Sequence, residues 1–266
     1  MPSFIKGVSS ALAIAAIVVT TSVASAAPPV SLDLSKPFAT RSPWRFTATQ
    51  GPEMDDPVGV SGDKAPGPVT VCLRKGGAGT CDPSLKATLN PTANDDLFGQ
   101  PHYLTDARIV HPRGPTGLPL LLVQLASLHS GDGDQIVLTQ LLVYDARSDG
   151  FRRVYEHTTG RNNNQDVRLV EGGPLAGDVI TAEPTSNAPY GFWVTVDTYT
   201  PAGGYRQALR YRSATTYGDG NPLSVIDSEM PNIEQRLGVW RPGMPLPTPA
   251  GGCPKPHLVR TELWCK

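Results

Sequence analysis

The strongest constraint on this chain is a run of eight β-type segments between His102 and Tyr217, each bounded by turn residues at intervals that favour antiparallel neighbours. They read as 102–111, 119–129, 135–145, 151–158, 166–171, 178–183, 190–199 and 204–214. The predicted fold class is all-β, an antiparallel meander or β-sandwich, with at most one short helix near the C-terminus at 228–237. Two segments set a further condition. Leu120-Leu121-Leu122-Val123, and Ile136-Val137-Leu138 with Leu141-Leu142-Val143, are apolar on both alternating faces, so other layers must cover them on both sides.

A weak internal repeat accompanies the strands. Tyr144 followed by Gly150-Phe151-Arg152 resembles Tyr199 followed by Gly204-Tyr205-Arg206, the aromatic-Arg pair recurring 54 positions later. Both read as strand, turn, then Gly-aromatic-Arg, which suggests propeller-like duplicated units. A closed propeller needs about four blades or more. The Pro/Gly-rich first third shows no further copy, so a compact sandwich or open meander is expected.

The last hairpin is the most instructive. Phe192, Val194 and Val196 alternate with Trp193, Thr195 and Asp197 before the turn Thr200-Pro201-Ala202-Gly203. On the return strand Tyr205, Leu209 and Tyr211 share one face by alternation, and Arg206, Ala208, Arg210 and Arg212 the other. A four-residue turn would pair Tyr199 with Gly204, Asp197 with Arg206 and Trp193 with Arg210. The outward face then presents Trp193 beside Arg206, Arg210 and Arg212, an indole and guanidinium arrangement able to hold a ligand or to stack on itself. The polar run Asn162-Asn163-Asn164, with Arg161 and Gln165, offers the donors and acceptors that sugar hydroxyls require. It serves equally well as a turn.

Around this core the chain divides by composition. Residues 1–26 read as a cleaved export signal: Lys6, an apolar run from Ala11 to Val19, then Ala24-Ser25-Ala26. The apolar run is shorter than the ~20 residues a membrane span needs, and no lipid-accepting cysteine follows it. Neither a membrane span nor a lipid anchor is therefore expected, and the protein should be periplasmic or extracellular. Residues 27–101 form a Pro/Gly-rich wrapping region, 102–240 the β core and 241–266 a Pro-rich tail. One of the 23 Lys and Arg lies in the signal, leaving 22 against 24 Asp and Glu, so no global field favours nucleic acid. Export allows the four cysteines to close as two local disulfides, Cys72 with Cys81 and Cys253 with Cys265. Their spacings are much wider than the C-x2-4-C knuckles of structural zinc.

Motifs for catalysis are sparse. The sequence holds no H-E-x-x-H, no G-x-S-x-G and no P-loop, and no cofactor is expected. Ser61-Gly62-Asp63-Lys64 matches the S-x-x-K of penicillin-binding enzymes but lies among Gly and Pro without a helical pattern. Asp132-Gly133-Asp134 and Asp219-Gly220-Asn221 resemble pieces of the integrin-type propeller's calcium loop. Neither supplies three acids at alternating positions, so Asp132, Asp134 and Asp219 are weak calcium candidates and no metal is expected. His129 and His157 are the histidines that neighbouring strands could unite. Glycoside hydrolysis needs only two carboxylates ~5 to 9.5 Å apart, and Glu156, Asp166, Glu171, Glu183, Asp197, Asp227 and Glu229 are candidates. For Asp227 or Ser228 a helix cap is the simpler role.

Three functions follow. The first is an exported, non-enzymatic binding protein for an envelope or extracellular glycan or protein. The second is an envelope glycan hydrolase. The third is a periplasmic inhibitor or accessory subunit docking through a strand edge or the Trp/Arg face.

Overall fold

The computed structural model describes residues 29–77, 79–89, 96–113, 117–130, 135–159, 166–185, 191–201, 203–213, 222–247, 255–260 and 262–264. The elements run β1 (Val30–Asp33), α1 (Ser35–Phe38), β2 (Trp44–Gln50), β3 (Met54–Asp55), β4 (Lys64–Ala65), β5 (Val69–Lys75) and α2 (Asp96–Gly99). There follow β6 (Tyr103–Val110), β7 (Leu120–Ala126), β8 (Val137–Asp145), β9 (Gly150–Thr158), β10 (Asp166–Leu169), β11 (Val179–Pro184), β12 (Phe192–Thr200) and β13 (Gly204–Arg212). The chain continues through α3 (Pro222–Arg236), β14 (His257–Val259) and β15 (Glu262–Trp264). All eight core strands form where alternation and turn residues place them, and the fold is all-β. Two single-turn helices, α1 and α2, join the expected C-terminal one, and α3 begins earlier than expected, at Pro222.

The eight strands divide into two four-stranded antiparallel meanders, β6-β7-β8-β9 and β10-β11-β12-β13. The first sheet in chain order, β1-β2-β5, comes from the Pro/Gly-rich first third; β6-β7-β8-β9 is the central sheet and β10-β11-β12-β13 the third, and β3-β4 and β14-β15 are short ribbons. Alternation explains how the layers assemble. On β7, Leu121, Val123 and Leu125 face a core shared with Trp44, Phe46 and Leu73 of the first sheet, while Leu120 and Leu122 face a second core shared with Val179 and Tyr199. Both faces of this central sheet are covered, as its two-sided apolar pattern requires. The far face of the third sheet, carrying Ile180, Val194, Val196 and Tyr211, packs on Val225, Ile226, Met230 and Ile233 of α3. The outer face of the first sheet is polar, with Arg45, Thr49, Thr70 and Arg74 exposed. The stack therefore ends in water on one side and under a helix on the other, without closing into a ring.

The two meanders repeat one another in register. In the first, Tyr144 pairs with Phe151, and the ladder shifts between Leu141 and Leu142, leaving Val154 as the extra residue on β9. In the second, Tyr199 pairs with Tyr205, and the ladder shifts between Val196 and Asp197, leaving Ala208 extra on β13. Each bulge falls at the same step from the turn, so the Gly-aromatic-Arg repeat marks a structural duplication. Gly204, at φ 76°, brings the two sheets close: a Cβ there would stand 3.0 Å from the Val154 carbonyl oxygen.

Loop length and bulge together correct the expected register. The loop after Thr200 has three residues rather than four, since Thr200 pairs with Gly204, and Thr198 then faces Arg206. Beyond Ala208 the pairing becomes Thr195 with Arg210 and Trp193 with Arg212. Arg206 consequently lies on the α3 side of the sheet, with its guanidinium over Gly203, and does not share a face with Arg210 and Arg212. Tyr205 likewise faces the central sheet, whereas Leu209 and Tyr211 face α3.

Cys72 and Cys81 are disulfide-bonded. Cys253 and Cys265 lie outside the described residues, as do the signal segment, Asn162, Asn163, Asn164, Asp132, Asp134 and Asp219.

Candidate functional site

The candidate carboxylates separate once their neighbours are in place. Glu156 meets Lys86 at 2.7 Å and Arg153 at 2.9 Å, Glu171 meets Arg108 at 2.6 Å, and Asp227 meets Arg168 at 2.6 Å. Glu229 is 1% exposed and accepts hydrogen bonds from Tyr211 Oη and Asn232 Nδ2. Asp227 and Ser228 sit inside α3 rather than capping it. These groups are tied into the fold, and the side chain of Asp166 is not described. Glu183 and Asp197 differ: both face the seam between the two meanders, on the face that carries Val179, Trp193, Thr195 and Tyr199.

That seam is apolar at the turn end, where Tyr199, Tyr205, Val154 and Tyr155 meet, and polar at the other end. The polar mouth takes Glu183 from β11, Trp193, Thr195 and Asp197 from β12, Arg210 from β13, and Tyr155 and His157 from β9 of the facing sheet. Trp193 is 38% exposed, and the Arg210 guanidinium carbon lies 4.7 Å from its ring centroid. The predicted Trp193 and Arg210 partnership thus forms as a diagonal stack, while Arg212 stands directly opposite Trp193.

The electrostatics of the mouth are uneven. His157 Nε2 stands 3.3 Å from Glu183 Oε1, and this neighbour holds the Glu183 carboxyl below its usual range, with Arg210 adding to the effect. Burial pushes Asp197 up, against the opposing pull of His157. Burial, then Asp197 and Glu183, hold the Tyr155 phenol well above its usual value. Tyr155 is only 8% exposed, and its Oη has no hydrogen-bond partner among the described residues; His157 Nε2, despite its nearness to Glu183, lacks an aligned one as well. An unpaired buried hydroxyl costs about 1–3 kcal/mol. Tyr155 and His157 were not singled out together by the sequence, although their spacing of two on a strand is the signal that puts them on one face.

The duplication supplies an internal control. By register, Leu125, Leu138 and Leu142 occupy in the first seam, between the first sheet and the central one, the positions that Glu183, Trp193 and Asp197 occupy in the second. All three leucines are fully buried. The architecture is therefore satisfied by leucine at these positions, and the polar set in the second seam is not a requirement of stacking.

Elsewhere, His129 lies edge-on to Tyr103 while His157 faces Glu183. Ser61 and Gly62 form the turn of the β3-β4 ribbon, and Lys64 pairs with Asp55, which leaves no helix for an S-x-x-K nucleophile. Among the described residues no cluster of three or more His, Cys, Asp or Glu could hold a metal ion, and no helix is long and apolar enough to cross a membrane. Neither a family model, nor a curated protein, nor a solved structure matches the chain.

Proposed function

We propose that this chain is an exported, non-enzymatic binding protein whose ligand, an envelope or extracellular glycan or protein, seats at the polar mouth of the second seam. The observation that carries this reading is the substitution of Glu183, Trp193 and Asp197 at positions where the duplicate unit places buried leucines. A half-exposed indole gives a ligand apolar area, and Tyr155, His157 and two carboxylates supply donors and acceptors around it. Export is supported by the leader-like first 26 residues and by the Cys72–Cys81 disulfide.

The test is retention on purified cell-wall material, comparing the wild-type protein with Trp193→Ala and Arg210→Ala. We expect retention of the wild type and at least tenfold loss in Trp193→Ala, the usual scale for truncating an aromatic anchor. Equal retention of all three proteins would remove the seam from consideration.

A glycan hydrolase is the second reading, favoured by the opposite displacement of Glu183 and Asp197. Strand geometry counts against it. Glu183 pairs with Trp193 and Asp197 with Val179, so the two Cα atoms stand about 14 Å apart from strand rise and spacing, and both side chains must lean toward one another to bring their carboxyl groups within the ~5 to 9.5 Å that hydrolytic pairs use. The wild type is expected to release no reducing sugar from cell-wall material; release that Glu183→Gln abolishes would establish the hydrolase instead.

A further inference from the structure

We infer that the mouth of the second seam receives an extended peptide carrying an acidic side chain; this rests on the binding reading above and narrows its ligand. In the first seam the same place is filled by the chain itself. There the chain's own segment around Leu85, Lys86 and Leu89 inserts beside the central sheet, and Leu85 and Leu89 join its core. The side chain of Gln140 grips the Lys86 backbone with two hydrogen bonds: Lys86 N donates to Oε1 at 2.9 Å, and Nε2 donates to the Lys86 carbonyl at 2.9 Å. The Lys86 ammonium then reaches Glu156 on the neighbouring strand at 2.7 Å. One seam mouth of this architecture is thus built to hold a peptide through its backbone and to select its side chain by charge.

The second seam has polar residues at the two corresponding positions, with the charge reversed. Gln140 pairs with Glu156 across β8 and β9, and Thr195 pairs with Arg210 across β12 and β13, at the same step from the turn and the bulge. Thr195 replaces the amide with a shorter group that still donates and accepts. Arg210 stands where Glu156 selects the lysine, so a guest in the second mouth is matched by Asp or Glu at that place. Arg210 stacks on Trp193 and lies close enough to Glu183 to lower its carboxyl, so an acidic guest would share this guanidinium with Glu183. Tyr155 Oη, buried without a hydrogen-bond partner among the described residues, and His157, beside Glu183, lie on the same face of β9. A mouth that is polar where the first is lined by leucine suits a guest that enters from solution rather than one fixed by its own chain.

The test uses two capped synthetic hexapeptides, Ser84–Leu89 in its natural sequence and the same peptide with Lys86→Glu, titrated by NMR into the full mature protein. The acidic peptide should bind about tenfold more tightly than the basic one, with shifts at Thr195, Arg210 and the Trp193 indole. Arg210→Glu should reverse the preference, and Arg210→Gln, which keeps a polar side chain of similar length, should erase it. Equal binding of both peptides, binding of neither, or a preference unaffected by either substitution would overturn the inference. If these fail while Trp193-dependent retention on cell-wall material persists, the seam binds a glycan. If retention fails too, the binding reading falls with it.

Discussion

Gly204 shows how one residue fixes the distance between the two duplicated sheets. It closes the β12–β13 loop at φ 76°, and a methyl group there would press on the Val154 carbonyl at 3.0 Å, at the bulge of the facing sheet. A left-handed conformation costs a non-glycine residue about 1–2 kcal/mol, and the backbone contact has no flexible end that can yield. Gly204→Ala should therefore lower unfolding free energy by about 2 kcal/mol and Tm by about 4–8 °C for a chain of this size, measurable by thermal circular dichroism. An unchanged Tm would show that the sheets can part at this corner without loss. The mouth itself was only partly legible at this scale. Trp193 and Arg210 stand out in the sequence, but Glu183 and Asp197 were two acids among many. What separates them is the engagement of the others by residues far along the chain: Arg168 for Asp227, Arg108 for Glu171 and Lys86 for Glu156, at separations of 59, 63 and 70 positions. No local pattern records such partners.

At the scale of elements, the β8–β9 turn is where the first sheet is fastened to the central one. Asp149, at the end of that turn, accepts hydrogen bonds from Tyr144 Oη at 2.6 Å and Ser42 Oγ at 2.5 Å, and pairs with the Lys75 ammonium of β5 at 2.8 Å. Lys75 first, then the two hydroxyls, hold its carboxyl well below the usual carboxylate range. A lowered folded-state value means that the tie is fully present above the ordinary carboxylate pKa and is lost as pH falls below it. The urea midpoint of the wild type should thus decline below about pH 4. Asp149→Asn should start lower at pH 7 and decline less steeply; parallel curves for the two proteins would place the acid sensitivity elsewhere. The strands themselves were readable because alternation and turn residues are local. Their register was not: the bulges fall at Val154 and Ala208, and Ala208, small and exposed, breaks no pattern that a sequence displays. The three-residue loop moved Arg206 to the other face, and loop and bulge together, one position each, exchanged Arg210 for Arg212 opposite Trp193.

At the scale of the whole molecule, the division into a wrapping region and a β core understates how the first third is used. Residues of β1, β2 and β5, together with Leu85, Leu89 and Phe98, complete the core in which Leu121, Val123, Leu125, Leu138 and Leu142 are fully buried. Each such leucine is stabilised by about 1.5–3 kcal/mol through burial, so uncovering five large apolar side chains on one sheet face removes more free energy than a domain of this size has to spare. The fragment 102–266 should therefore be soluble only as an aggregate or a loosely packed form, with strong binding of the dye ANS and no sharp near-ultraviolet circular dichroism. Adding back residues 27–101 as a separate chain should restore cooperative unfolding, because the Asp149 tie and the Gln140 clamp on Lys86 belong to both pieces. A fragment that unfolds cooperatively on its own would mean that the two meanders suffice as a domain. The Lys86 segment would then be a guest in the first seam rather than part of its foundation, which would bring the two seams still closer in kind.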